Sequence, residues 1–430
     1  MFLSVPQSHT GSFHVSQPSA GEKHAKKTYF SLFAIDHYSA LGAALLVATV
    51  STAAADDFTG ALTGGKPTVD LRLRYESVDQ ANALKDANAA TLRLRLGYET
   101  GQFHGFGALV EAETVTALGG ENYNSTVNGK TAYATVVDPE ATEINQAYLS
   151  YAGLADTTLK YGRQRIILDN HRFIGNVGWR QNEQTFDAFT LTNASLPQTN
   201  ITAGYIYNVN RVFSDKSPQG DFKMNSPIFN VSYKGWSLGE VVGYGYLLDF
   251  TDLAASSTQT YGLRLKGSAP LGGAKALYTA EYATQRDYSD NPRNYNLKYY
   301  LVEGGVDLSN AVFKLGYEVL GGNGTVAFQT PLATLHAMNG WADQFLVTPG
   351  AGLKDAYLSA TTTVLGTRLE AIYHDFRADN NSTRYGTEWD LQAVKAIDKT
   401  YAVGAKYARY DAKSFSVDTD KFWLWAEAKF

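Results

Sequence analysis

The strongest constraint on this chain is an alternation of apolar and polar residues, with a period of two, that recurs along almost its entire length. In residues 69–78, and again in residues 91–100, leucine and tyrosine alternate with arginine and glutamate. A period of two places successive side chains on opposite faces of an extended strand. The pattern therefore predicts an all-β protein whose strands each have one apolar and one polar face.

Runs of this kind recur to the end of the chain and are separated by turn signals such as residues 290–292 and 379–381. They amount to about 18 strands, an even number as in single-chain bacterial barrels, and a further weak run lies near Leu238. The runs occupy residues 69–78, 91–100, 106–115, 147–151, 158–161, 187–192, 201–207, 229–233, 242–246, 261–265, 278–282, 302–308, 313–319, 356–360, 369–373, 389–393, 401–407 and 422–430.

Two architectures are compatible with this alternation. A β-sandwich would alternate in the same way, with its polar face in solvent. However, the chain has 28 tyrosines, many on the apolar faces, and tyrosine suits membrane interfaces. Barrel closure would also remove the exposed strand edges. The pattern therefore favours a transmembrane antiparallel β-barrel of about 18 strands with long extracellular loops, in the bacterial outer membrane.

The N-terminal region has the three-part order of a secretory signal peptide. Two lysines precede an apolar core at residues 41–50, and three alanines follow at residues 53–55. The core is shorter than the roughly 20 apolar residues of a membrane-spanning helix. The sequence therefore predicts a signal peptide with an extended leader over residues 1–55 and an outer-membrane barrel over residues 56–430.

Composition argues against several classes of function. The formal net charge is −5, whereas a nucleic-acid-binding domain would be basic overall. Cysteine is absent, which excludes disulfides and thiolate metal sites. The histidines after residue 55 lack metal-ligand spacing, and no local motif marks a catalytic group. We therefore expect no cofactor, no metal ion, no nucleic-acid partner and no enzymatic activity.

Four arginines on neighbouring strands are candidates for contact with a solute. If the leucines beside them face lipid, Arg72, Arg74, Arg93 and Arg95 face the lumen. Arginine stays charged and binds carboxylates bidentately, so these four could form a ladder for anions. They could equally pair with the nearby carboxylates, which are Asp70, Glu76, Glu99, Glu111 and Glu113. The sequence leaves both interpretations open.

Further cations crowd the region after residue 159; they are Lys160, Arg163, Arg165, His171, Arg172 and Arg180. By the period-two alternation, Lys160 falls on the lumen face of its strand, whereas Arg163 and Arg165 fall on the same face as the apolar residues Leu159 and Tyr161. An arginine facing lipid at mid-bilayer costs roughly 2–4 kcal/mol. Either a bulge at Gly162 switches the face, or the strand has already left the membrane. We expect the second, with the loop folding inward as a constriction.

A second long loop, residues 321–352, contains a predicted helix. Thr330 suits the N-cap, Pro331 suits the first helical position, and the spacing of Leu335, Met338 and Trp341 fits an amphipathic turn. Such a helix could act as a lid or plug of the lumen, or it could pack on the rim for rigidity.

Two segments resemble the alginate-export family of outer-membrane porins. They are Tyr161-Gly162-Arg163-Gln164-Arg165-Ile166-Ile167-Leu168-Asp169-Asn170-His171-Arg172-Phe173, continuing to Phe186-Asp187-Ala188, and Thr330-Pro331-Leu332-Ala333-Thr334-Leu335-His336-Ala337-Met338-Asn339-Gly340-Trp341-Ala342-Asp343. The terminal Phe430 also resembles the signal read by the barrel-assembly machinery. The resemblance covers residues 56–430 and implies a single-chain barrel with an arginine-lined lumen that passes an anionic solute.

The leading hypothesis is therefore an outer-membrane channel for anionic solutes, in particular acidic oligosaccharides or an alginate-like polysaccharide. Its expected partners are outer-membrane lipid, the barrel-assembly machinery and the solute. The alternatives are a general diffusion porin of weak selectivity and a hydrolase active at the barrel rim. The candidate pore-lining residues are Arg72, Arg74, Arg93, Arg95, Lys160, Arg163, Arg165, Arg172 and Arg180.

Overall fold

The computed structural model describes residues 57–430, so the expected signal peptide lies outside the described residues. Eighteen antiparallel strands pair with their neighbours in sequence, and β1 also pairs with β18. The sheet therefore closes into a barrel, which confirms the predicted fold class and strand number.

A short helix, α1 (Phe58–Thr63), precedes the strands, and no described helix has the length and hydropathy needed to cross a bilayer. The strands are β1 (Lys66–Gln80), β2 (Ala87–Glu99), β3 (Phe106–Ala117), β4 (Ala141–Leu154), β5 (Thr157–Gln164), β6 (Thr185–Asn193), β7 (Thr199–Asn210), β8 (Asp221–Trp236), β9 (Gly239–Leu248), β10 (Thr258–Leu271), β11 (Ala274–Asp287), β12 (Asn296–Asp307), β13 (Ala311–Leu320), β14 (Leu353–Val364), β15 (Thr367–Arg377), β16 (Arg384–Ala396), β17 (Tyr401–Ala412) and β18 (Thr419–Lys429). Leu238 lies in the turn between β8 and β9 and does not form a strand of its own.

The two faces of the strands follow the alternation of the sequence. Leu73 and Leu96 are 47% and 51% exposed on the outside of the barrel, whereas Arg74 and Arg93 are buried inside it. An apolar exterior around a polar interior is the arrangement of a barrel in lipid, and the reverse of a soluble protein.

The two ends of the barrel differ in the length of their connections. One end has short turns such as residues 272–273, and the other carries three long loops: loop A (residues 118–140), loop B (residues 165–184) and loop C (residues 321–352). In outer-membrane barrels the short turns are periplasmic and the long loops extracellular.

The prediction of an amphipathic helix in loop C is wrong, because the helical structure of loop C is limited to a 3₁₀ turn at Leu335–Ala337. Besides short turns of its own, the backbone of loop C bonds to loop B. The N–H of Gly175 donates to the carbonyl of Leu332 over 2.9 Å, and the N–H of Thr334 donates to the carbonyl of His171 over 3.0 Å. These contacts with another loop replace the helical hydrogen bonds that local spacing favours.

Candidate functional site

Loops B and C fold into the lumen and form one unit, which we call the plug. Besides the backbone bonds, the side chain of Gln184 donates to the carbonyl of Leu332 over 3.0 Å, and Arg172 donates to Asn339 over 3.0 Å. The predicted inward fold of loop B is therefore present, and loop C crosses the lumen with it rather than packing on the rim.

One side of the plug is held to the barrel wall by apolar packing. The ring of Phe173 in loop B lies 4.9 Å from that of Tyr244 on β9 and 5.6 Å from that of Tyr299 on β12. Phe328 of loop C completes the cluster, 5.5 Å from Tyr299. Ring separations of this size are typical of stabilising aromatic pairs, so this wall anchors the plug.

The four predicted ladder arginines lie together on the opposite wall, and each pairs with a carboxylate. Arg72 and Arg93 are directly opposite each other on β1 and β2. The pairs are Arg72–Glu427, Arg74–Glu76 (3.0 Å), Arg74–Asp138, Arg93–Asp70 (2.7 Å), Arg95–Glu113 and Arg95–Glu183 (3.5 Å). Internal pairing, one of the two interpretations of the sequence, is therefore what this structure contains.

Three ladder arginines also bind the plug through their remaining N–H groups. Arg72 Nη1 donates to the carbonyls of Gly178, Trp179 and Arg180, over 3.1, 3.2 and 3.1 Å. Arg74 Nη1 donates to the carbonyl of Trp179 over 2.6 Å, and Arg95 Nη2 donates to that of Gln181 over 3.3 Å. The ladder thus holds acids of the wall with one part of each guanidinium and the plug with another.

Most of the cations of β5 and loop B that were predicted to line the pore do lie inside the barrel. Arg165, Arg172 and Arg180 form ion pairs with interior carboxylates, and Lys160 lies 4.5 Å above the ring of Tyr148. The pairs are Arg165–Glu111 (2.6 Å), Arg172–Glu318 (3.0 Å) and Arg180–Glu76 (2.8 Å).

Arg163 is the exception. β5 continues to Gln164, so Arg163 remains in the strand, on the same face as Tyr161, which is 59% exposed. Its guanidinium pairs with Asp187 on β6 over 2.8 Å, which offsets the cost of a charge on the outer face. The expectation that this arginine has left the strand and lines the pore is therefore corrected.

A charged cluster around His336 was not found from the sequence, because its members come from loop C, β17 and β18. His336 Nδ1 lies 2.7 Å from Asp343, its Nε2 lies 3.1 Å from Lys406, and Lys421 pairs with Asp343 over 2.7 Å. An ammonium group can only donate, so Nε2 accepts and Nδ1 donates. Burial lowers the pKa of His336 to about 3, which keeps the imidazole neutral.

The wall that carries the apolar anchor has its own polar pattern, which is also not evident from the sequence. Three buried tyrosines donate their hydroxyl groups to carboxylates of other strands. The pairs are Tyr244–Glu281 (2.7 Å), Tyr299–Glu318 (2.7 Å) and Tyr357–Glu303 (2.8 Å). The alternation places these tyrosines on the lumen face, but it does not show which strands supply their carboxylate partners. Among residues 57–430, no cluster of three or more histidine or acidic side chains is arranged to hold a metal ion.

Solved bacterial barrels have the same fold. OccAB4 of Acinetobacter baumannii is 16% identical with a TM-score of 0.69, covering 85% of this chain and 98% of that one. OccK9 (OpdG) of Pseudomonas aeruginosa is 13% identical with a TM-score of 0.68, covering 86% and 100%. OpdK of Pseudomonas aeruginosa, in a structure with vanillate, is 13% identical with a TM-score of 0.67, covering 86% and 100%.

The fold, the apolar exterior and the polar interior define a β-barrel channel of the bacterial outer membrane. Within that class, residues 67–206 match the alginate export family, which confirms the resemblance for the first of the two segments, whereas residues 330–343 lie outside the match. The matched region contains β1–β6, the four ladder arginines and loop B. No curated protein sequence matches the chain significantly.

Proposed function

We propose that this channel passes anionic solutes, with acidic oligosaccharides and smaller carboxylates as the leading classes. The observation that carries the proposal is that three ladder arginines each pair with a wall carboxylate and also donate hydrogen bonds into the lumen. A guanidinium has five N–H donors, so pairing with a wall carboxylate does not exhaust it. The wall carboxylates hold Arg72, Arg74 and Arg95 in place, while other N–H groups point at acceptors in the lumen.

The plug favours short solutes over a continuous polymer. Loops B and C are tied both to the aromatic wall at Phe173 and to the ladder at Arg72, so they span the lumen. A long alginate-like chain could pass only if the whole plug withdrew. One barrel of the same fold was crystallised with vanillate, a small carboxylate, which supports the smaller class. Transport also requires that binding at each site be moderate.

The second candidate is a general diffusion porin of weak selectivity. It is favoured by the pairing of charges on both walls, since Lys314 pairs with Glu303 over 2.9 Å opposite the ladder. Balanced charges would leave only a small preference for anions. The third hypothesis, a hydrolase at the rim, gains no support from the fold or the family match, which are those of channels.

Reversal potentials in planar bilayers separate the first two candidates. We expect the wild-type channel to prefer chloride over potassium. Replacing Arg72, Arg74, Arg93 and Arg95 together by glutamine leaves their carboxylate partners uncompensated, so the preference should shift toward cations. Arg409→Gln on the outer face is the matched control and should leave the reversal potential unchanged. Equal selectivity in the wild type and the fourfold variant would refute the proposal.

A further inference from the structure

Four consecutive backbone carbonyls of loop B occupy the lumen side of the arginine ladder. We call residues 178–181 the strap. Its carbonyl oxygens accept hydrogen bonds from Arg72, Arg74 and Arg95, at distances between 2.6 and 3.3 Å. A row of oxygens at hydrogen-bond distance from guanidiniums is the arrangement that the oxygens of a carboxylate would adopt there.

The strap is a weaker occupant of these positions than an anion would be. A peptide carbonyl is neutral, whereas a carboxylate would add the Coulomb attraction of a full negative charge to the same guanidinium hydrogen bonds. The ladder also has capacity that the strap does not use. Arg93 is fully buried between Arg72 and Arg95, yet its Nε and Nη1 have no hydrogen-bond partner within residues 57–430. Buried donors of this kind are usually satisfied, so this site lacks an acceptor.

The strap also has the mechanical features of a segment that can move while its ends stay in place. Val177, immediately before it, has a φ of +52°, which is a strained conformation for a β-branched residue. On its other side Glu183 is held by Arg165, and Gln184 donates to the carbonyl of Gly175 over 2.8 Å. These anchors flank the strap, and between them Arg180 pairs with Glu76 over 2.8 Å, so a displaced strap also gives up or carries along this ion pair.

The side chain of Trp179 keeps the strap docked. Its ring stacks on His336 with centroids 3.4 Å apart and lies 4.0 Å from the guanidinium of Arg180. Gln181 adds a second contact, donating to the hydroxyl of Thr91 over 2.9 Å. Neither residue carries charge, so either can be changed without altering the charge of the ladder.

We propose that the strap occupies an anion-binding site formed by Arg72, Arg74, Arg93 and Arg95, and that the carboxylate of an entering solute displaces it. The inference rests on the proposed passage of anions and adds its gate. A solute with a carboxylate takes the N–H groups that the strap carbonyls release, whereas a neutral solute cannot compete for them. The channel is therefore opened by the class of solute that it passes.

Single-channel recording of the wild-type protein, with glucuronate or glucose added, tests the gate. These sugars have the same ring, but only glucuronate carries a carboxylate. We expect glucuronate to increase the open probability and glucose to leave it unchanged. In the absence of solute, Trp179→Ala should raise the open probability by about two- to fivefold. This factor corresponds to the loss of the cation–π contact with Arg180. The variant should also respond less to glucuronate.

Gln181→Ala is a second, milder variant and should change the open probability in the same direction. Trp236→Ala is the matched control, because Trp236 lies at the end of β8, far from the strap in sequence, and is 46% exposed. The inference is overturned if glucuronate acts no differently from glucose and both strap variants behave as Trp236→Ala does. Reversal potentials from the same bilayers keep the two proposals apart. If the channel prefers anions but the strap variants do not change the open probability, only the proposed gate is refuted. If the strap variants raise the open probability but the channel does not prefer anions, only the proposed solute class is refuted.

Discussion

At the scale of single residues, the lumen depends on arginines that are buried yet fully charged. Arg95 has a side-chain exposure of 7% and contacts Glu113 and Glu183, whose exposures are 4% and 1%. Charges at such depth are tolerated only when they are paired and hydrogen-bonded. The same pairs fix the direction of each guanidinium, so stability and recognition depend on the same side chains.

Removing one member of such a pair should be costly. Arg95→Ala leaves the buried carboxylate of Glu113 without its ion-pair partner, while Glu183 keeps Arg165, and we expect the change to lower the free energy of unfolding by about 3–5 kcal/mol. Urea unfolding in lipid vesicles, followed by tryptophan fluorescence, measures the change. Arg409→Ala removes an arginine whose side chain is 53% exposed, and its unfolding midpoint should match that of the wild type. Equal unfolding midpoints for Arg95→Ala and Arg409→Ala would show that the buried ion pair of Arg95 contributes no more to stability than an exposed one.

At the scale of elements, the plug is held by two different kinds of contact. Its aromatic side packs on β9 and β12, and its polar side is bonded to the ladder and to the His336 cluster. The groups that face His336 are Asp343 and Lys406, with Lys421 and Arg180 on the far side of Asp343. The packing of the aromatic rings does not titrate, so a change of pH acts on the plug through its polar contacts.

Acid should loosen the plug through its histidines. Burial lowers the pKa of His336 to about 3 and that of His171 to about 4, from an ordinary value of 6.5. As the pH falls below 6.5, the undocked loops bind more protons than the docked ones, so docking weakens progressively toward pH 4 and is unaffected above 6.5. Lys421 and His336 hold the pKa of Asp343 well below its usual 3.8, so the contribution of Asp343 to docking of the plug is lost only at still lower pH.

Conductance recorded at about pH 7.5 and about pH 5 tests this expectation, since the ordinary pKa of histidine lies between them. We expect larger or more frequent openings at the lower pH. The double variant His171→Gln and His336→Gln should lose most of the difference. If that variant retains the full pH dependence, the histidines of the plug are not its cause.

At the scale of the whole molecule, the barrel closes without help from the plug. β1 and β18 pair continuously from Asp70–Lys429 to Gln80–Thr419, and the backbone of Phe430 exchanges bonds with Val69. Recognition of Phe430 by the barrel-assembly machinery stays a prediction. Because the backbone groups of the strands are satisfied within the sheet, the loops are free to serve passage rather than closure.

Removing loop C should therefore enlarge the passage and spare the barrel. Gln329 and Thr348 bond to each other at its base, over 2.8 and 3.1 Å, so a short Gly-Ser linker can replace residues 330–347. We expect a severalfold larger conductance, because loop B loses its partner at the same time. Heat-modifiable migration in detergent gels reports whether the barrel has formed. The same linker in place of the largely exposed residues 215–219 is the control and should leave conductance unchanged. Equal conductance in the two variants would mean that loop C does not restrict the lumen.

The sequence by itself determined the strands, their two faces and the closed barrel, because a period of two is a local property of extended backbone. It placed Arg72, Arg74, Arg93 and Arg95 inside for the same reason. Only the tertiary structure decided the partners. Arg72 pairs with Glu427 across the closing seam, and loop C gives up its predicted helix for loop B. These contacts join residues more than a hundred positions apart, and side-chain spacing along one segment carries no information about them.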